Sequence, residues 1–264
     1  VTLFSDGSNI QRKPKGHLYL YPLIAIAAML AIVFVMDLPH MHKPKQQLSQ
    51  TIRIPAGQRA QMDLPDGSVV WLNSQTTLTY DENFGKKDRK VTLDGEAYFE
   101  VAHNKEIPFY VQTENIKVQV TGTKFDVCSY KGSNSFIARL IEGSINLLTN
   151  NAKEEKPITS LTKGKYFSME NGKYKTGEMS SNNALAWMQG IYYFDDVPFK
   201  ELLDKIALYY NYKITVKNPK ILENYRCTGK FKDLDGIEHI LKVIQKDHPF
   251  KYNIDNEHNK ITIE

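Results

Sequence analysis

The chain has 264 residues, of which 41% are hydrophobic and 24% are charged. This balance is typical of a globular chain of one to three domains and excludes a largely disordered protein. The formal net charge is +4, and its 34 basic and 30 acidic residues are mixed along the chain without a basic block. Because nucleic-acid-binding proteins usually carry such a block, nucleic acid is not an expected partner.

The first apolar segment, Leu18 to Met36, contains no charged residue. As a helix rising about 1.5 Å per residue it nearly crosses a hydrocarbon core of about 30 Å, so it predicts a single transmembrane helix. Basic residues stand on both sides, and those before it modestly favour a cytoplasmic N-terminus. A cleaved signal peptide is the alternative, but no small-x-small cleavage site follows the segment.

Two short segments flank this predicted helix. Residues 1–17 are expected to be a cytoplasmic remnant that is too short to fold alone. Residues 37–51 contain two prolines and a polar run, which favours a linker. His40 and His42 could chelate a metal ion, but no third and fourth ligands follow at a convincing spacing, so no metal site is expected.

Residues 52–180 have the alternation that is typical of strands. Val91 and Leu93 alternate with polar neighbours, and the runs 116–120 and 145–147 repeat the pattern. Gly, Asp and Asn mark the turns, as at Pro65-Asp66-Gly67. The pattern predicts an all-β domain, either a roll or a sandwich.

Residues 181–264 differ, because helical spacing enters the pattern. Apolar residues recur at helical spacing within 199–210 and 236–244, and short alternating runs lie between and after these segments. The order is βαβ followed by βαββ, and the chain closes on a hairpin. This predicts a small α+β domain with its own core.

The β domain contains an ordered set of motifs: Leu64 to Ser68, Leu72-Asn73, Phe84, Arg89, Val91 to Leu93, Gly95 to Val101, Pro108 to Val111, Gly122 to Val127 and Glu142-Gly143. With this set the chain resembles the FecR family of membrane-embedded regulators of extracytoplasmic-function sigma factors. In the C-terminal domain Trp187, Gly190, Phe194 and Gly229 to Phe231 resemble the STN-like domain that closes many such proteins in Bacteroidota.

The resemblance implies a relay through protein contacts. The signalling domain of an outer-membrane TonB-dependent transducer binds the periplasmic part, and a cytoplasmic segment controls the sigma factor. The chain is then a single-pass inner-membrane protein that contacts lipid and has periplasmic C-terminal domains. Because the sigma-binding domain should precede the membrane span, the resemblance implies a further segment upstream of Val1.

The family motifs are interpreted first as structure. Asp66 and Gly67 are expected to build a turn, with the Asp side chain accepting a backbone hydrogen bond and Gly in a left-handed conformation. Gly95, Gly122 and Trp187 are further structural positions. Glu96, together with Asp94 and Glu100, is the most tempting carboxylate group for catalysis, but a solvated or Arg89-paired face is the preferred interpretation.

The sequence indicates neither catalysis nor a cofactor. It has no Gly-x-Ser-x-Gly elbow and no phosphate loop around Gly122-Thr123-Lys124, so no catalytic residue and no nucleotide is expected. Cys128 and Cys227 could form a disulfide in an oxidising compartment if their Cα atoms lie within about 7 Å, and the sequence leaves this open.

Partner binding is predicted at the strand around Ile191 and Tyr193, where aromatic residues occupy both faces. We expect this strand, or another edge of its sheet, to add to a partner's sheet with Tyr193 as an anchor; an aromatic rim of the domain's own core is the alternative. Two other functions stay open. A ligand- or glycan-binding module would have a pocket lined by Trp71, Trp187 or tyrosines, and a hydrolase would have a cleft with perturbed carboxylates.

Overall fold

The computed structural model describes residues 20–41, 48–150, 155–179 and 182–264. The expected cytoplasmic segment 1–17 lies outside these residues, and so do residues 42–47 of the expected linker. The chain divides into two units, one ending at Gln47 and one running from Leu48 to Glu264.

The first unit contains helix α1, Leu20–Met41. Apolar side chains along it, from Ile24 to Phe34, are exposed. Among the helices described, none combines the length and the apolar character needed to cross a membrane. The transmembrane helix expected at Leu18–Met36 is therefore not confirmed, and Leu18 itself lies outside the described residues.

The second unit begins with a β-rich part, residues 48–179, which we call the β-lobe. Its strands are β1 (Ser49–Arg53), β2 (Ala60–Asp63), β3 (Val69–Leu72), β4 (Thr77–Asp81), β5 (Arg89–Glu100), β6 (Phe109–Gln112), β7 (Ile116–Val120), β8 (Lys124–Ser129), β9 (Ser135–Glu142), β10 (Ser144–Thr149), β11 (Pro157–Thr162), β12 (Lys165–Glu170) and β13 (Lys173–Glu178). The predicted β-rich character of residues 52–180 is confirmed.

Strand β5 belongs to both halves of the β-lobe. Its first half pairs with β4 and β6, and its second half, from Gly95, pairs with β3 and β8. The strand order is β11-β10-β7-β6-β5-β8-β9-β12-β13, with β1 on β4, β4 on β5, and β2 on β3. One apolar core joins the halves and includes Val91, Phe99 and Phe125. The predicted turn at Asp66-Gly67 is present, with φ of +83° at Gly67.

Gly95 stands where β5 passes from one half to the other. Its φ is +134°, and a Cβ atom there would lie 2.4 Å from Thr76 Oγ1 and 2.6 Å from Thr76 Cα. Because an L-residue rarely adopts this conformation and the neighbouring backbone occupies the space, glycine is required here.

Residues 182–264 form the second part of this unit, the C-lobe. It begins with a 3₁₀ segment, Asn182–Gln189, and continues with β14 (Ile191–Pro198), α2 (Phe199–Tyr210), β15 (Lys213–Val216), β16 (Arg226–Lys232), α3 (Gly236–Asp247), β17 (Tyr252–Asp255) and β18 (Lys260–Ile263). The predicted βαβ-βαββ order is confirmed. Its strands form two sheets, β14-β16 and β15-β18-β17.

Helix α2 shows why the C-lobe folds as it does. Its buried residues are Phe199, Leu202, Leu203, Ile206 and Tyr209, the spacing of one helical face. It packs against both sheets of the lobe. The helix ends at Asn211, whose φ of 59° is the left-handed conformation common after a helix.

The two lobes share a second apolar core. Tyr98 of β5 is 5% exposed and belongs to the core of the C-lobe, with Trp71 and Ile141 of the β-lobe packed beside it. At the edge of this contact Arg59 Nη2 lies 3.0 Å from Asp233 Oδ2. The lobes therefore form one compact unit.

We expect Gly95→Ala to lower the free energy of unfolding by about 2 to 4 kcal/mol, because it adds both a strained φ and a clash with the Thr76 backbone. Gly132→Ala is the matched control, since its φ is +77° but nothing lies within 4 Å of the added Cβ. It should cost about 1 kcal/mol. Denaturant unfolding of both variants measures the difference, and equal losses would show that the clash at Thr76 is relieved.

Candidate functional site

The candidate site lies on the outer face of strands β5, β8 and β9. Residues 97, 99, 125, 127, 138 and 140 of these strands face the β-lobe core. The alternate residues point the other way, so Glu96 lies opposite Cys128, and Asp126 lies between Tyr98 and Arg139 in the strand register. This face meets the C-lobe rather than open solvent.

Three charged side chains form a buried cluster on this face. Arg139 Nη1 lies 2.5 Å from Asp126 Oδ2 and 3.7 Å from Glu96 Oε1. Asn73 Nδ2 donates a hydrogen bond of 2.6 Å to Glu96 Oε2. Asp126 is 0% exposed and Glu96 4% exposed, so two carboxylates share one guanidinium away from water.

Burial changes the pKa values of the two carboxyl groups in this cluster. Loss of hydration raises the pKa of Glu96 to about 7, and the neighbouring Asp126 carboxylate adds to the rise, while Arg139 and Asn73 oppose it. Burial also raises the pKa of Asp126, against the attraction of Arg139. Because Asp126 holds the short contact with Arg139, we assign the anion to Asp126 and the proton to Glu96.

The C-lobe brings Trp187 to this cluster. The indole N–H of Trp187 lowers the pKa of Asp126 and so opposes the effect of burial. Trp187 Nε1 and Asp126 Oδ1 are nevertheless both buried without a hydrogen bond of standard geometry. An unpaired polar atom in a protein interior costs about 1 to 3 kcal/mol, so the polar contact between the lobes is incompletely satisfied.

A cavity of about 80 Å³ lies beside the cluster, between the lobes. Its β-lobe wall includes Glu96, Cys128 and Arg139. Its C-lobe wall is larger and consists of Asn183, Ala184, Trp187, Ile191, Tyr192, Tyr193, Phe194, Lys205 and Tyr209. Four consecutive residues of β14 line it, so one backbone edge of that strand borders the cavity.

The last turn of α2 is fixed by the β-lobe. The carbonyl oxygen of Tyr209 accepts hydrogen bonds from Gly57 N, at 3.0 Å, and from Ser74 Oγ, at 3.0 Å. Gln75 Nε2 donates to the carbonyl oxygen of Leu208. The final carbonyls of a helix have no partner within the helix, so these contacts cap α2 from the neighbouring lobe.

The sequence-predicted turn residues prove structural. Asp66 Oδ1 accepts a hydrogen bond of 3.0 Å from Ser68 N, as predicted, and Gly67 has the expected left-handed conformation. Asp66 Oδ2 also lies 3.2 Å from Arg89 Nη1. At Gly122 an added Cβ would lie 2.4 Å from His103 Nδ1, so this glycine allows a close approach of two segments.

The expectation for Glu96 is wrong. It is neither solvated nor paired with Arg89; its partners are Asn73 and Arg139, because the C-lobe covers the face that the pattern assigned to solvent. The other two carboxylates of the predicted group point to different partners. Asp94 accepts a hydrogen bond from Lys131 N, and Glu100 accepts one from Tyr98.

The predicted partner-binding residues lie at the edge of this site. Ile191 and Tyr193 line the same cavity as Glu96 and Trp187, whereas Asp66 and Gly122 do not. Tyr193 is 38% exposed, and its cross-strand neighbour is Lys230. The sequence did not single out Asn73, Asp126 or Arg139 as site residues, although Asn73 and Asp126 fall within the family motifs. Their other signal is a polar side chain within or directly after an apolar strand.

Within the described residues no group of three or more His, Cys, Asp or Glu side chains is placed to hold a metal ion. Cys128 and Cys227 are both free, so the disulfide that the sequence left open is not formed.

Comparison with known proteins matches both lobes. A family model described as FecR protein matches residues 50–146, and one described as FecR, C-terminal matches residues 191–263. A crystal structure of a candidate anti-sigma factor from Parabacteroides distasonis has a TM-score of 0.70 and 25% identity, covering 82% of this chain and 98% of that chain. A second, at 1.65 Å resolution, has a TM-score of 0.70 and 24% identity over 81% and 98%, and shows the fold. A search of curated proteins finds no match.

We expect Arg139→Met to lower the free energy of unfolding by about 3 to 5 kcal/mol, because it leaves Asp126 buried without its counter-charge. Arg226→Met is the matched control, since the Arg226 side chain is 52% exposed and pairs with an exposed Asp196. It should cost less than about 1 kcal/mol. Thermal unfolding compares the two, and similar losses would show that Asp126 is not left as an uncompensated buried charge.

Proposed function

From the FecR family membership that the two matches support, we propose that this chain is a signal-transducing regulator, an anti-sigma factor, that acts through protein contacts. One observation carries the proposal: both family models match, in chain order, a single compact unit whose fold is also that of the candidate anti-sigma factor. The regulatory class rests on this match rather than on any catalytic geometry.

The proposed relay has a partner on each side of a membrane. On one side, the signalling domain of an outer-membrane TonB-dependent transducer binds the C-lobe. On the other, an extracytoplasmic-function sigma factor binds a segment upstream of Val1. We place the β-lobe and C-lobe in the periplasm and the N-terminus in the cytoplasm.

The C-lobe is the proposed receiver of the transducer. Its two helices accompany one sheet of two strands and one of three, an arrangement that we assign to the STN-like class. The β14-β16 sheet offers Tyr193 on its outer face beside the exposed Lys230 and Lys232. An amphipathic ring flanked by ammonium groups suits a partner edge that carries apolar and acidic side chains. Strand addition at this sheet would align such an edge.

The ligand-binding alternative is less well supported by the cavity. Pockets for drug-sized ligands measure about 300 to 1,000 Å³. The cavity beside Trp187 measures about 80 Å³ and is too small for a sugar ring with its hydration. Trp71 is partly buried and packs beside Tyr98, at 5.4 Å between ring centroids, so its ring takes part in the protein's own core.

The membrane anchor is part of the proposal and rests on the uncharged run Leu18–Met36. Its large apolar side chains from Ile24 to Phe34 are more than half exposed, as for Met29 at 66% and Phe34 at 68%. Exposed apolar side chains of this density are unfavourable in water and favourable in lipid.

We expect the full chain to stay in the membrane pellet after a carbonate wash. The double variant Ile26→Lys, Leu30→Lys should move to the supernatant, because each charge near the centre of a span costs about 2.5 to 3.5 kcal/mol. Ser49→Lys, outside the run, is the control. Release of the unmodified chain by carbonate would show that the run does not anchor it.

For partner binding, we expect the tagged full chain, solubilised in detergent, to recover a TonB-dependent transducer detected by mass spectrometry. Tyr193→Ala should reduce that recovery roughly tenfold or more, the effect of losing an aromatic anchor. Tyr174→Ala is the matched control, because Tyr174 is a tyrosine on the β-lobe that is 57% exposed. It should leave recovery unchanged.

Two outcomes would contradict parts of the proposal. Equal recovery with Tyr193→Ala and Tyr174→Ala would exclude Tyr193 as the anchor while leaving the relay intact. Recovery of neither a transducer nor a sigma factor, from membranes that contain both, would contradict the regulatory function itself.

A further inference from the structure

The contact between the lobes is built around a group that can gain or lose a proton. Glu96 is 4% exposed and lies on the β-lobe face that the C-lobe covers. Its side chain accepts a hydrogen bond from Asn73, and the nearest cation, Arg139, lies 3.7 Å away and holds Asp126 more closely. A charge on Glu96 would therefore share a counter-ion that is already engaged.

Charged and titratable groups face Glu96 from each neighbouring element. Strand β8 contributes Asp126 and Cys128, and β9 contributes Arg139. Tyr130 follows β8, and Tyr192 lies on β14. Helix α2 contributes Tyr209 and Lys205. Lys205 already pairs with Glu201 at 2.8 Å, so it does not provide a free counter-charge.

Ionisation of Glu96 changes the net charge that is buried at this interface. With Glu96 protonated, Asp126 and Arg139 form one neutral pair. With Glu96 charged, two carboxylates face one guanidinium where water is excluded, and an unpaired buried charge is strongly unfavourable. Water would stabilise the second carboxylate, and two polar atoms where the lobes meet, Trp187 Nε1 and Asp126 Oδ1, already lie buried without a hydrogen-bond partner.

We propose that Glu96 is a proton-dependent latch between the lobes: its protonated form keeps the C-lobe closed on the outer face of β5, β8 and β9, and its ionised form favours separation. The latch concerns contacts within this chain, so it stands apart from the identity of any partner. For the proposed relay it would add a regulated step, because β14 and its cavity edge become accessible when the lobes part.

The direction of the pH dependence follows from the raised pKa of Glu96, about 7 in the closed form against 4.5 when hydrated. A carboxyl group that binds its proton more tightly in the closed form stabilises that form, and the stabilisation is complete when the pH is below the ordinary pKa of the group. This stabilisation is lost as the pH rises towards the higher value. Between pH 5 and pH 8 the constant for opening should increase by about one to two orders of magnitude if opening restores the ordinary pKa.

Cys128 provides the measurement. It lines the cavity opposite Glu96 and is partly buried there, so a bulky maleimide reacts with it faster when the lobes part. The full chain is labelled between pH 5 and pH 8, and mass spectrometry gives the rate at each cysteine. The matched variant Glu96→Gln keeps the Cys128 thiol but has no titrating carboxyl at position 96. Dividing the Cys128 labelling rate of the wild type by that of the variant therefore cancels the pH dependence of the thiol chemistry itself.

The proposal predicts that this ratio rises by several tens of fold from pH 5 to pH 8. Cys227, buried within the C-lobe core, should stay slow in both chains. Glu100→Gln, on the same strand, should behave as wild type. A ratio that stays within twofold would overturn the latch. A parallel rise at Cys227 would also overturn it, because the chain would then be unfolding as a whole.

If circular dichroism shows that Glu96→Gln does not fold, the wild-type chain alone can still test the proposal. The Cys128 rate divided by the Cys227 rate in the same molecules should rise over the same pH range. A constant quotient would contradict separation of the lobes.

Discussion

The structure depends on one constraint, which is that the second half of strand β5 is buried on both of its faces. One face, with Ala97 and Phe99, belongs to the β-lobe core, and the other, with Glu96 and Tyr98, lies under the C-lobe. A sheet with two buried faces needs a partner layer on each side. The β-lobe supplies one layer and the C-lobe the other, which is why the two sequence segments fold as one unit.

The buried ion pair on that second face serves orientation more than stability. Removing two charges from water is costly, and an apolar replacement is often as stable, so an Arg139–Asp126 pair alone is weak grounds for a stable interface. Its contribution is geometric: we interpret it as fixing the placement of the C-lobe, because other placements leave Asp126 without Trp187 and the α2 carbonyls without their caps. The shared aromatic core supplies the apolar contact.

The helices and strands could be predicted from the sequence, but the contacts between them could not. The alternation of Val91 and Leu93 with polar residues indicated the first half of β5 correctly, because that half has one wet face. The second half looked the same locally, yet its polar face is covered. The cluster around Glu96 is formed by residues from three other segments: Asn73, Asp126 and Arg139. The pattern of residues within a single strand cannot predict such contacts between segments. Likewise, the βαβ-βαββ order did not indicate that the C-lobe strands separate into two sheets.

The cap on α2 has a mechanical consequence. The donors Gly57 and Arg59 belong to the loop between β1 and β2, and they hold the last turn of α2 and the turn at Asp233. Strand β1 adjoins this loop and is the first strand of the unit. A pulling force on the C-lobe would therefore reach β1 through this loop and β4 through Ser74 and Gln75, and these two strands pair with each other. The β1-β4 pair is thus one part of the sheet on which tension from the C-lobe acts.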